Sequence, residues 1–232
     1  MVGKRGELGI LSAVLFDLDD TLLDSFDARV GALERVFKRT GITCLTAEQF
    51  LRDLQGAQIK EAFNQLEVAQ GVGADLFENY RRAYWVKEPG LLSLYPGVKP
   101  MLEKLYARGV KLGVVTQKGR EFEVDGEKVG ALYEVVEVGI ASLLSVLVGF
   151  EDVSSTKPHP EGINLALKRL GVYPHETLVV GDSIADIEAA SAAGCWSCYA
   201  IWGIPAAGRR LDSIQADVVA EMPEALLRLT FI

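Results

Sequence analysis

Two histidines and three cysteines are all that the 232 residues hold of the side chains zinc prefers. Beyond Cys195-x-x-Cys198, no pair of either type stands at ligand spacing. The two cysteines fall in a segment that reads as a strand, where positions three apart face opposite sides, so their sulfurs should diverge and their role is structural. Three cysteines cannot all pair, which excludes a disulfide framework. Positive charge is also scarce: 24 Lys and Arg against 32 Asp and Glu give a net charge of −8 and a pI near 4.9. Nucleic acid needs clustered Lys and Arg, so it is not an expected partner. Long apolar runs are missing too. Leu8 to Phe16 follows Lys4 and Arg5 in the manner of a secretory leader, but no small-residue cleavage site comes after and the stretch runs into acidic residues. It reads as the first strand. The longest other run, Val138 to Phe150, is about a dozen residues and short of a bilayer. No membrane partner is expected, and the cytoplasm is the default location. No repeat, low-complexity segment or long flexible linker interrupts the chain.

What remains is a folded protein of 49% hydrophobic residues and mean hydropathy +0.18, long enough for one core and a smaller appended unit. After residue 93, strand-like and helix-like segments alternate. Val98 to Arg108 repeats its apolar residues at helical spacing and stops at Gly109, and Val110 to Val115 is an apolar strand ending at Thr116. Ser145 to Gly149 reads as a strand that enters the loop of Lys157-Pro158, and Pro160 is suited to open the next helix. Thr177 to Val180 is a strand ending in Gly181-Asp182. Ile184 to Ala193 is a helix, and Cys195 to Ile201 a further strand. This alternation implies an α/β fold with parallel strands and right-handed crossovers. Residues 24–92 are different. Apolar residues recur at helical spacing, Gly41, Gly56, Gly71 and Gly73 mark breaks, and no convincing strand intervenes. They read as a helical cap inserted into a core made of 1–23 and 93–232.

The stretch Val14-Leu15-Phe16-Asp17-Leu18-Asp19-Asp20-Thr21 is the most informative in the chain: a buried strand running into three carboxylates within four positions. Buried charge needs a cation, a proton or an opening beside it, and the carboxyl edge of a parallel sheet is where α/β proteins bind ligands. Three later strand or loop ends supply Thr116, Lys157, and Asp182 with Asp186. Carboxylate oxygens suit Mg2+. An ammonium and a hydroxyl beside them suit a phosphoryl group, and an aspartate can attack phosphorus to give an acyl phosphate that water hydrolyses. A second carboxyl two residues on can protonate the leaving oxygen and then deprotonate water.

In order along the chain, Asp17-Leu18-Asp19-Asp20-Thr21-Leu22, Val114-Val115-Thr116, Thr156-Lys157-Pro158 and Gly181-Asp182-Ser183-Ile184-Ala185-Asp186 resemble the four motifs of the haloacid dehalogenase (HAD) superfamily, phosphatase branch. The resemblance implies a Rossmann-like parallel sheet with a small all-helical cap. It implies Asp17 as nucleophile and Asp19 as general acid/base. Mg2+ would be held by the Asp17 carboxylate, the Asp19 backbone carbonyl and Asp182. Thr116 and Lys157 would clamp the phosphoryl oxygens, with Asp186 and Ser183 in support. Dehalogenases of the superfamily lack an acid at the position of Asp19, so phosphate chemistry is expected. The general cast is similar to phosphoglycolate phosphatases, with a small phosphorylated metabolite as partner and a monomer or homodimer as the assembly. A β-phosphoglucomutase-like phosphotransferase and a non-catalytic phosphate- or metabolite-sensing module are the alternative readings.

Two departures stand out. Asp20 takes a position often filled by Gly and is expected to point away from the phosphate. The stretch from Gln117 to Gly149 has no obvious family counterpart, and its elements are not placed. In the cap, Leu51 to Gln58 resembles a glycine-containing turn that reaches into the site, which makes Arg52, Gln55 and Lys60 candidates for reading the leaving group. Arg81-Arg82 and the two histidines, His159 and His175, read as surface or structural residues.

Overall fold

A computed structural model of the chain describes residues 2–3, 6–7, 9–54, 59–71, 75–86, 91–204 and 214–231. Its centre is a six-stranded parallel sheet: β1 (Ala13–Phe16), β2 (Lys111–Val115), β3 (Val146–Val148), β4 (Thr177–Gly181), β5 (Trp196–Ala200) and β6 (Val218–Ala220), in the spatial order β6-β5-β4-β1-β2-β3. Val14 stands opposite Leu112 on one side and Leu178 on the other. Every residue of β1 and β4 is buried, as expected for parallel strands covered on both faces. The chain builds outward from β1 to β2 and β3, then returns to place β4 on the other flank of β1. The crevice at the carboxyl end of β1, between β2 and β4, is therefore the topological switch point where ligands bind in such sheets.

Eight α-helices are described: α1 (Phe26–Thr40), α2 (Ala47–Leu54), α3 (Ile59–Gln70), α4 (Leu76–Trp85), α5 (Val98–Ala107), α6 (Ala131–Glu137), α7 (Glu161–Leu170) and α8 (Ile184–Ala192). Met101, Leu102 and Leu105 of α5 join the apolar cluster on one face of the sheet. Ile163, Leu167 and Leu170 of α7 and Ala189 and Ala190 of α8 cover the other. Cys198 belongs to the first cluster and Cys195 to the second, so the two sulfurs lie on opposite faces. Both residues are buried, and neither is in a disulfide.

Helices α1–α4 all fall between β1 and β2 and surround an apolar cluster of their own, with Leu33, Phe37, Phe50, Phe63 and Tyr80 at its heart. Gly41, at φ 74°, ends α1 in the left-handed region that glycine adopts without penalty. Gly56 and Gly73 lie outside the described residues. The two ends of the insert meet in a short antiparallel pair, Leu23–Asp24 with Ser93–Leu94, a contact that the reading of 24–92 as strandless omitted. The unplaced stretch after Gln117 contains a hairpin, Phe122–Val124 against Glu127–Val129, then α6. The sixth strand, β6, also went unread, because only three residues of it pair with β5. Among the described residues, no helix is long and apolar enough to cross a membrane.

Candidate active site

The backbone of Asp17 continues the ladder, its N–H donating to the Val180 carbonyl at 2.9 Å. The carboxylate therefore leaves the sheet where β1 stops. The chain then turns tightly, with the N–H groups of Leu22 and Leu23 both donating to the Leu18 carbonyl. Asp20 sits at φ 59° in this turn, a conformation that short polar residues tolerate better than most. It lines the cavity, and its carboxylate accepts from Arg29 of α1 at 2.5 and 2.6 Å.

Lys157 is the hub. Its ammonium donates to Asp17 Oδ1 at 2.7 Å, to Asp186 Oδ1 at 2.6 Å and to the Val115 carbonyl at 3.1 Å. All three of its N–H groups are used, and the side chain is only 6% exposed. Asp186 is itself fixed by the start of α8, where it accepts from the Ser183 hydroxyl at 2.5 Å and the Ser183 N–H at 3.1 Å. Ser183 caps the helix in return. Gly181 leaves room for this arrangement, since a methyl there would overlap the Asp186 side chain. Thr116 is buried; its Oγ1 accepts from the Lys118 N–H at 3.2 Å, and its own hydrogen has no acceptor among the described residues. Asp182 Oδ1 accepts from the Thr21 hydroxyl at 3.0 Å.

Asp17, Asp182 and Asp186 each offer a carboxylate oxygen within 4.8 Å of the others. Burial, with Asp186 adding to it, pushes the Asp17 carboxyl up to about 7 even against the Lys157 ammonium. Burial and then the Asp20 charge drive Asp182 well above the ordinary range. Two carboxyls so raised beside a saturated lysine form a donor set for a hard divalent cation. Asp186 is already taken up by Lys157 and Ser183, which leaves Asp17 and Asp182 as the carboxylates free to hold it. Asp19 is the contrast. Burial alone would raise it, but Lys118 and then Arg29 hold it below the usual carboxylate range.

Sequence reasoning missed the groups around Asp19. Its Oδ1 accepts from the Ser25 hydroxyl at 2.5 Å and pairs with Lys118 at 2.8 Å. Lys118 also pairs with Glu134 of α6 at 2.8 Å and donates to the Tyr84 hydroxyl of α4 at 2.6 Å. One signal was available: Glu134 shares the helical stripe of Ala131, Val135 and Val138, an apolar face where an acid needs a partner.

A cavity of about 820 Å3 joins this cluster to the insert. Arg52 and Lys60 both line it. The Arg52 guanidinium lies 5.1 Å from the Phe26 ring centre and 3.7 Å from Glu48, and the Lys60 ammonium lies 5.8 Å from the Phe77 ring. Gln55 lies outside the described residues. Arg81 reaches the cavity as well, while Arg82 is exposed. His159 and His175 are exposed on the surface, His175 stacked on Tyr173.

Donors for an anion on one flank and carboxylates for a cation on the other, at a sheet's carboxyl edge, are the equipment of an α/β enzyme working on an anionic group. Comparison with known proteins makes this specific. Residues 14–200 match the model of the haloacid dehalogenase-like hydrolases, and the chain belongs to that family. A phosphoglycolate phosphatase from Xanthomonas campestris is 33% identical over 218 residues, covering 92% of this chain and 94% of its own. A pyrophosphatase, PpaX, from Bacillus pumilus is 30% identical over 194 residues, 84% of this chain and 85% of its own. A crystal structure of a haloacid dehalogenase-like hydrolase from Bacteroides fragilis superposes with a TM-score of 0.76 at 28% identity, covering 93% of this chain and 99% of that one.

Gly181→Ala tests the packing behind the hub. The added methyl must push Asp186 away from Lys157, an overpacking that costs about 1–3 kcal/mol. A urea midpoint unchanged from the parent protein would show that Asp186 has another place to go.

Proposed function

We propose that the chain is a Mg2+-dependent phosphomonoester hydrolase working through an aspartyl-phosphate on Asp17. The observation that carries this reading is Asp17 held by buried Lys157 beside Asp182, with the Thr116 hydroxyl on the neighbouring strand end. Residues 24–92 act as a cap over a core of 1–23 and 93–232. Asp17, the Asp19 backbone carbonyl and Asp182 would hold the ion, which when bound supplies positive charge against the phosphoryl oxygens. Lys157 orients the Asp17 carboxylate and, on exchanging one of its present acceptors, would meet the phosphoryl oxygens of the substrate together with Thr116. Asp17 attacks phosphorus while the bond to the leaving oxygen breaks. That oxygen keeps the electron pair and takes a proton from Asp19. Asp19, now ionised, accepts a proton from the water that attacks the aspartyl-phosphate, and inorganic phosphate and free Asp17 result. Asp186 and Ser183 position Lys157.

The substrate is a small phosphorylated metabolite, phosphoglycolate-like or a sugar phosphate, with Arg52 and Gln55 of the cap reading the leaving group. Similarity to relatives named phosphoglycolate phosphatase and pyrophosphatase supports a small phosphorylated compound. The acid at Asp19 favours an oxygen leaving group, which needs a proton, over a halide, which does not.

Phosphate release from phosphoglycolate, sugar phosphates and pyrophosphate is expected with Mg2+ and not with EDTA. Asp17→Asn should lower it by on the order of a thousandfold or more, with the fold intact. An Asp17→Asn protein that keeps most of its activity would remove Asp17 as nucleophile. Free phosphate replaced by a sugar bisphosphate would turn the reading to phosphotransfer.

Metal binding should also depend on pH in a definite direction. The Asp17 carboxyl, raised to about 7 without an ion, must lose its proton to serve as a ligand, as must Asp182. Millimolar MgCl2 is therefore expected to raise the melting temperature more above pH 7 than at acid pH, by about 2–4 °C for each kcal/mol of binding. Equal shifts on both sides of pH 7, or none, would contradict the assignment of these ligands.

A further inference from the structure

We propose that the substrate is the phosphate ester of an uncharged alcohol that carries an apolar ring, and that insert and sheet edge grip this ring between them. The proposal rests on the hydrolase reading above and adds the chemical class of the alcohol released. One cavity of about 820 Å3 holds both the Asp17, Thr116 and Lys157 cluster and a set of apolar walls. A phosphoryl group fixed at the cluster therefore places its ester oxygen, and all that lies beyond it, against those walls. Pockets of about 300–1,000 Å3 enclose ligands of drug size. A phosphoryl group with a two-carbon acid would leave most of this one to water.

The walls are apolar on both sides. Phe26 of α1, Leu54 of α2, Ile59 of α3 and Phe77 of α4 line the cavity from the insert, and each is only partly buried. Phe150 and Ile184 line it from the core and are 49% and 39% exposed. Large apolar side chains left open to water beside a nucleophile mark a binding surface. A ring seated among the six would cover apolar area on both sides at once. None of these side chains offers a polar partner to the hydroxyls of a sugar, whose burial without one is unfavourable.

Charge around the same space disfavours an anionic leaving group. Asp24, Asp27 and Asp53 line the cavity as well. The cations beside the rings are engaged. Arg52 stands 3.7 Å from Glu48 and 5.1 Å from the Phe26 ring centre. Arg81 stands 2.9 Å from Glu78 and 5.9 Å from the Phe77 ring centre. Lys60, 5.8 Å from the Phe77 ring centre, is exposed, and pairing with an ammonium in water contributes little. A carboxylate beyond the ester oxygen would thus meet aspartates, and cations already paired or hydrated.

Esters of primary alcohols share the reacting bond and isolate this selectivity. 2-Phenylethyl phosphate and ethyl phosphate differ by the ring alone, and 2-phosphoglycolate has a carboxylate where ethyl phosphate has a methyl group. With Mg2+, kcat/KM for phosphate release from 2-phenylethyl phosphate should exceed that for ethyl phosphate by about ten- to a hundredfold, the effect of burying a phenyl ring. It should also exceed the values for 2-phosphoglycolate and glucose 6-phosphate. Phe77→Ala, in the insert, and Phe150→Ser, in the core, should each cut the ratio of 2-phenylethyl to ethyl phosphate by at least about threefold. Phe150 is exposed, so its variant carries the test should Phe77→Ala fail to fold. A parent enzyme that works as well or better on any of the other three esters, or variants that keep the parent's ratio, would overturn the ring assignment while leaving the hydrolase reading standing. Phosphate released from none of the four esters would overturn that reading, and this proposal with it.

Discussion

The buried Lys157 ammonium is the constraint on which the site depends. Asp17, Asp19, Asp20, Asp182, Asp186 and Glu134 gather around the crevice, and among the described residues Lys118, Lys157 and Arg29 are the cations paired with them. If every carboxyl were ionised, six negative charges would face three positive ones. In a poorly hydrated pocket such an excess is relieved by protons or by a bound cation. Lys157 decides where the relief is needed. By using all three N–H groups on Asp17, Asp186 and the Val115 carbonyl, it neutralises the inner part of the cluster and leaves Asp182, which accepts from the Thr21 hydroxyl, without a paired cation among the described residues. The proposed metal site rests on this arithmetic of donors and acceptors.

Most of that inner site was legible because its residues lie at the ends of strongly marked strands. Apolar runs such as Val14 to Phe16 and Leu178 to Val180 can only be buried strands, and what comes directly after them must surface at the sheet's carboxyl edge. Asp17, Thr116 and Asp182 needed no knowledge of long-range contacts. Lys157 and Asp186 were placed by the order of the motifs. Lys118 was not legible in this way. It looks like a solvated loop lysine, and its partners Glu134 and Tyr84 stand 16 and 34 positions away. The hairpin after it was hidden for a local reason. Its strands are three residues long, too short for the alternation of Phe122-Glu123-Val124 to stand out, and the second begins with two exposed charges, Glu127 and Lys128. The third strand of the sheet, read over Ser145 to Gly149, forms at Val146–Val148.

The pieces that escaped the sequence are those joining insert to core, and they share a physical character. The insert has its own apolar cluster around Phe63, and the sheet has clusters on both faces. Among the described apolar residues, Val138 is shared between the insert's cluster and the sheet's. Other ties between insert and core among the described residues are polar, cation–aromatic or ring-edge contacts, such as Asp20 with Arg29, Asp19 with Ser25, Lys118 and Glu134 with Tyr84, and Phe122 with Arg81 and Trp85. Patterns of hydrophobic periodicity report burial within a layer, and they are silent about contacts of this kind.

That division has a mechanical consequence. Parting two apolar surfaces forfeits about 25 cal/mol for each Å2 returned to water, whereas charged groups parted beside an open cavity recover hydration that burial withheld. An insert docked through its own core would be locked in place. One docked through charges and ring edges can separate from the sheet while both apolar cores stay dry. The proposed reaction has to admit a substrate, exclude water while the phosphoryl group is transferred, and then admit water again. An interface built from Arg29, Tyr84 and Arg81 allows those exchanges.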